Sequence, residues 1–126
     1  MPPELQWGLL ANGRSGQTQI DVDQTCVGEE LFELEICMPG WSLRCRILQP
    51  GIIETLASFL THKRGDSMIL GSLEGIPVEI RRDPEFGDRF FLVVGVGSGR
   101  VELTVAGESE ISDLSNALLQ AAEDLK

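Results

Sequence analysis

The chain has one histidine, three cysteines and only ten Lys or Arg in 126 residues, and each shortage removes a class of chemistry. A lone histidine, His62, excludes His–His metal pairs. Beside Lys63 and Arg64 it reads as part of a helix end, where cations are favoured. Cys26, Cys37 and Cys45 lack the CxxC spacing of zinc sites, and an odd count in a small chain does not suggest a disulfide framework. No apolar run approaches the roughly 20 residues that a membrane helix needs. The start, MPPELQWG, has no basic stretch followed by an apolar one, so no signal peptide is read and a cytoplasmic location is the default expectation. The ten bases face 20 Asp and Glu, for a formal charge of −10. Residues 1–62 carry 8 acids and 3 bases, and residues 63–126 carry 12 and 7, so neither part is basic. That field opposes phosphate binding, with Arg81, Arg82, Arg89 and Arg100 as the one local cluster that could offset it. An acidic chain is suited to staying soluble or to meeting a basic partner.

What the sequence does have is alternation. Leu34, Ile36 and Met38 alternate with Glu33, Glu35 and Cys37, and Leu43, Cys45 and Ile47 alternate with Arg44 and Arg46. Period two marks a half-buried strand. With Pro39-Gly40 as the turn, Ile36 faces Leu43, Leu34 faces Cys45, Glu35 faces Arg44 and Glu33 faces Arg46. Pro50 then suits a helix start, and Ile53, Leu56, Ala57 and Leu60 make one helical stripe. The pattern returns 58 residues later in Leu92, Val94 and Val96, in Val101, Leu103 and Val105, and in Ile111, Leu114 and Leu118, with Gly97-Ser98 as the turn. Gly13 and Gly71 also match at this offset.

In chain order, residues 5–11 read as a first strand, Asn12–Gly16 as a loop and residues 18–23 as a second strand. Residues 67–73 and 76–82 read as a hairpin, residues 89–96 and 100–106 as another, and a last helix ends near Asp124. The expected fold is α+β. One domain, 1–126, contains two ββββα halves, 1–62 and 63–126, as an internal repeat of antiparallel sheets with helices packed on them.

The chemical candidates are weak. Gly95–Gly99 is glycine-rich like a phosphate-binding loop, but it leads into a strand and not a helix, so it reads as a hairpin turn. Glu29-Glu30 and the pair Asp21 and Asp23 read as a solvated face. Cys45 is phased inward and Cys37 outward. No catalytic residue, metal site or cofactor is read, and no enzymatic activity is expected. One asymmetry points to a surface. Where the first hairpin has Glu33, Glu35, Arg44 and Arg46 facing outward, the second has Phe91, Val93, Glu102 and Thr104. These four are the candidate interface, for a protein partner or a second copy in a homodimer, unless Phe91 and Val93 are covered within the chain.

The ββββα order resembles the whirly and PUR-type architecture, whose members bind single-stranded nucleic acid. The run from WSLRCRIL through a helix, several strands and a terminal helix is similar to small acidic bacterial immunity-type proteins of the WapI kind. The second resemblance implies a protein-interaction module, such as an immunity-like inhibitor that docks on a partner. The first implies a nucleic-acid-binding module, which the charge disfavours. No membrane association is expected.

Overall fold

The computed structural model describes residues 7–25, 31–62, 65–83, 85, 89–95, 101–105 and 108–126. Four strands come first: β1 (Trp7–Ser15), β2 (Thr18–Thr25), β3 (Phe32–Met38) and β4 (Trp41–Ile47). Helix α1 (Ile52–His62) follows, then β5 (Ser67–Leu73), β6 (Ile76–Arg82), β7 (Phe90–Val94) and β8 (Val101–Val105), and finally α2 (Glu108–Asp124).

The β3–β4 hairpin has the register that its alternation predicts. Ile36 pairs with Leu43, Leu34 with Cys45, Glu35 with Arg44 and Glu33 with Arg46. Pro39-Gly40 turns it, with Gly40 at φ 89°, the geometry of a type II turn with Pro first and Gly second. A one-residue slip would turn Leu34, Ile36, Leu43 and Cys45 out to solvent.

The two-half arrangement is not the architecture. The eight strands form one antiparallel sheet in the order β1 to β8, and the buried apolar side chains of the described residues form one cluster that spans both parts of the chain. Pairs 58 residues apart do share a register: Ile20↔Ile36 with Val78↔Val94, and Leu34↔Cys45 with Leu92↔Leu103. Neither half, however, carries a sheet and helix of its own. Helix α2, at the end of the chain, packs on β1 and β2 and against α1. Its buried stripe is Leu114, Ala117, Leu118 and Ala121. Helix α1 buries Ile53, Leu56, Ala57 and Leu60, and its Phe59 meets Phe90 of β7 edge to face, with ring centroids 5.6 Å apart.

Two glycines allow close main-chain approaches, one between strand and helix and one between strands. At Gly13 a Cβ would overlap the Ala117 carbonyl oxygen and sit 2.8 Å from the Ala121 nitrogen, so β1 touches the α2 backbone directly. At Gly71 a Cβ would overlap the Arg46 carbonyl oxygen. There β5 joins β4 through the pair Arg46↔Ser72, next to an irregularity between Ile69 and Gly71. The strand β1 also runs through Asn12–Ser15, which sequence alone assigns to a loop. Its polar residues serve the helix: the Asn12 and Arg14 N–H groups donate to Asp124 Oδ2 and Gln120 Oε1, each at 3.1 Å, and the Ser15 hydroxyl lies 3.2 Å from Asp113 Oδ1.

The Gly97-Ser98 turn, the Gly95–Gly99 loop beyond Gly95, Cys26 and Glu29-Glu30 lie outside the described residues. No helix among the described residues is long and apolar enough to cross a membrane.

Candidate functional site

With both helices on one face, the other face of the sheet carries the alternate side chains of every strand. The phase that buries Ile20, Val22, Leu34 and Ile36 turns Asp21, Asp23, Glu33 and Glu35 to this outer face. The β2–β3 register sets Asp21 opposite Glu35 and Asp23 opposite Glu33. Like charges directly opposite each other are unfavourable. The next strand supplies two arginines, Arg44 beside Glu35 and Arg46 beside Glu33.

The two arginines do not divide the acids evenly. Arg44 pairs with Glu35 and reaches Glu33 Oε1 at 3.3 Å. Arg46 instead places its guanidinium carbon 5.3 Å from the Trp7 ring centroid, so β4 and β1 side chains reach toward each other over β2 and β3. Asp21 accepts from the Asn12 and Gln19 side-chain amides. Asp23 accepts no hydrogen bond from a described residue. Its carboxyl is raised above the ordinary value, first by burial and next by the neighbouring Asp21 carboxylate. Leu9, its partner across β1–β2, is 64 % exposed on the same face.

This environment has a stability consequence. A carboxyl whose pKa is raised by folding ionises first in the unfolded chain, so its cost is absent below the unfolded value and fully present above the folded one. Asp23→Asn is therefore expected to stabilise the fold by about 0.5 kcal/mol at neutral pH. The gain should shrink as pH falls through the raised Asp23 pKa and vanish below roughly pH 3.9. Urea unfolding at several pH values measures it, and an unchanged or lower neutral-pH stability would contradict this electrostatic picture.

Neither described thiol is activated as a nucleophile, because both are held in the thiol form. Cys45 is buried and its pKa is pushed up to about 11 by that burial. Cys37 lies 3.4 Å from Glu35 Oε1, and burial followed by that hydrogen bond raises it too. Among the described residues no group of three or more His, Cys, Asp or Glu side chains is placed to hold a metal ion.

Of the interface residues read from the sequence, Phe91 and Val93 lie on the outer face of β7. Their partners are Arg81 and Thr104, and Glu79 and Glu102. Val93 is only 3 % exposed although it stands outside the helix-side core, and Phe91 is half-buried. For Glu102 and Thr104 only their strand positions are described. The register does bring all four together at one end of the sheet. It does not gather the arginines: Arg81 is on the outer face, paired with Glu79, and Arg82 is on the helix face, 5.8 Å from both the Phe59 and Phe90 rings.

Sequence reasoning passed over Asp21 and Asp23 as a solvated face. The signal that could have singled them out is phase. Two adjacent strands, each acidic at alternate positions, must stack their acids on one face if they pair antiparallel. Residues 26–30 between the strands concealed that pairing.

No family model matches the chain, and neither a curated protein nor a solved structure matches it.

Proposed function

We propose that this chain is a non-enzymatic protein-interaction module that meets a basic partner through the outer face of its sheet, at β2 and β3. The reading rests above all on the facing carboxylates: Asp21 opposite Glu35 and Asp23 opposite Glu33, with Asp23 left without a hydrogen bond from a described residue. A sequence that keeps a locally unfavourable arrangement marks that place as a candidate site. Leu9, exposed beside Asp23, adds apolar area of the kind a protein partner covers. The net charge of −10 would speed encounter with a cationic surface. An immunity-like inhibitor, docking on a basic toxin, is the finer form of this reading. A toxin gene adjacent to this one would favour it.

The test is a pair of titrations at about 0.15 M salt, where the Debye length is roughly 8 Å. One uses labelled deca-lysine and the other labelled single-stranded DNA. Deca-lysine is expected to bind, and to bind more weakly to Asp21→Asn/Asp23→Asn. DNA is expected not to bind. Tight DNA binding with a steep salt dependence would replace this reading with the single-stranded nucleic-acid module. Deca-lysine affinity indifferent to the two substitutions would move the contact off this face.

A further inference from the structure

An unpaired strand edge invites another strand, and folded chains commonly block such edges. The edge at β1 is blocked. Ser15 and Thr18 flank the two-residue loop of the first hairpin, so main-chain groups of Asn12 and Arg14 point away from β2. Side chains of α2 take up both of those N–H groups, through Asp124 and Gln120.

The edge of β4 is treated differently. Met38 and Trp41 close the second hairpin, so Trp41, Leu43 and Cys45 bond toward β3 while Ser42, Arg44 and Arg46 bond the other way. Of these three only Arg46 is paired with β5, at Ser72. Beyond that pair β5 turns back into β6 and leaves β4. A cavity of about 370 Å³ opens between them, lined by Glu33, Arg44, Cys45, Arg46, Ser72, Leu73 and the turn at 74–75. No described residue bonds the main chain of Ser42 or Arg44 on this side. The cavity borders the Arg44 end of this edge, along which Ser42 and Arg44 present two N–H and two C=O groups at two-residue spacing.

We propose that the Ser42–Arg44 edge of β4 accepts an extended segment of the partner as an added strand. This rests on the reading of the protein as an interaction module and specifies how the partner is held. The edge itself defines the occupant, because alternating main-chain donors and acceptors are matched by an extended backbone. Side chains of that segment alternate between faces. The one opposite Leu43 falls on the helix face beside Leu43 and Trp41, both packed against the core, and must be apolar. Its two neighbours fall on the outer face beside Ser42 and Arg44, where Glu33, Arg44 and Arg46 line the cavity, and are polar. The Pro39-Gly40 turn and the 74–75 turn bound the open edge, so the paired stretch is about three residues long.

The probe is a phage-displayed library of random heptapeptides panned on the wild-type chain, with recovered sequences synthesised as free labelled peptides. They are expected to contain the polar–apolar–polar triplet. Ser42→Pro removes an edge N–H that the chain does not itself use, and proline is tolerated on edge strands. This variant should stay folded by circular dichroism and bind the peptides about tenfold more weakly or worse, a change of about 1.4 kcal/mol. N-methylation of the peptide supplies a second arm that needs only the wild-type protein. For a peptide paired antiparallel to β4, it should abolish binding at the two outer residues of the triplet and spare binding at the middle one. Recovery of no peptide, or binding indifferent to both Ser42→Pro and N-methylation, overturns the proposal. So does self-association that Ser42→Pro abolishes, because the occupant would then be a second copy. Peptides that depend on Asp21 and Asp23 but not on Ser42 would keep the docking face and remove the added strand. The opposite dependence would keep the strand and remove the acidic face.

Discussion

Val93→Glu should unfold the protein or nearly so, while Phe91→Glu should leave it folded. The two residues are two apart on β7 and share a face, yet Val93 is 3 % exposed and Phe91 is half-buried. A glutamate at Val93 would be a buried carboxylate between Glu79 and Glu102, its partners on the flanking strands. An uncompensated buried charge costs about 3–5 kcal/mol, a large part of the roughly 5–15 kcal/mol that holds a domain together. A glutamate at Phe91 can turn toward solvent and toward Arg81 opposite. Urea unfolding followed by circular dichroism separates the two. Sedimentation of Phe91→Glu then tests the candidate interface at Phe91, Val93, Glu102 and Thr104. A dimer that becomes a monomer would support self-contact there, and an unchanged state would remove it. A fully stable Val93→Glu would show that Val93 is not covered within the chain.

Gly13→Ala is expected to cost about 3 kcal/mol, the upper end for forcing extra volume into a packed contact. The obstruction is main chain on both sides: the Ala117 carbonyl oxygen and the Ala121 nitrogen of α2 against the backbone of β1. Neither can move aside by changing a rotamer. The methyl must push α2 away and loosen the bonds from Asn12 and Arg14 to Asp124 and Gln120. Melting should begin about 10 °C lower, on the usual scaling for a domain of this size. Gly51→Ala is the control. Nothing lies within 4 Å of a Cβ at Gly51, so it should stay within about 0.5 kcal/mol of wild type. Equal effects from the two substitutions would mean that β1 and α2 do not meet at Gly13.

What was legible in the sequence was side-chain phase within one hairpin and one helix, not the repeat built on that phase. Leu34, Ile36, Leu43 and Cys45 could alternate only one way, and Glu35 with Arg44 fixed the register that the hairpin adopts. The stripe Ile53, Leu56, Ala57 and Leu60 likewise had only one face to bury. The joins between elements were not legible, because main chain makes them. At Gly71 and Gly13 the decisive feature is a missing side chain, which matches between them at the 58-residue offset but does not say what fills the space. Asn12–Ser15 looked like a loop because residues that satisfy α2 from a strand have the composition of a turn. The same limit applies to the site. The edge of Ser42 and Arg44 is a main-chain feature, and the facing acids appear only once β2 is paired with β3.

The most direct test of the docking face is a residue-level map of the deca-lysine titration, using the isotope-labelled chain and backbone amide chemical shifts. Competing acids on the helices, among them Glu54, Glu110 and Glu123, share the charge but not the face. The account predicts that the largest shifts fall at Leu9, Asp21, Asp23, Glu33 and Glu35 and weaken together as salt rises. Shifts centred on α1 and α2, with β2 and β3 unmoved, would contradict it.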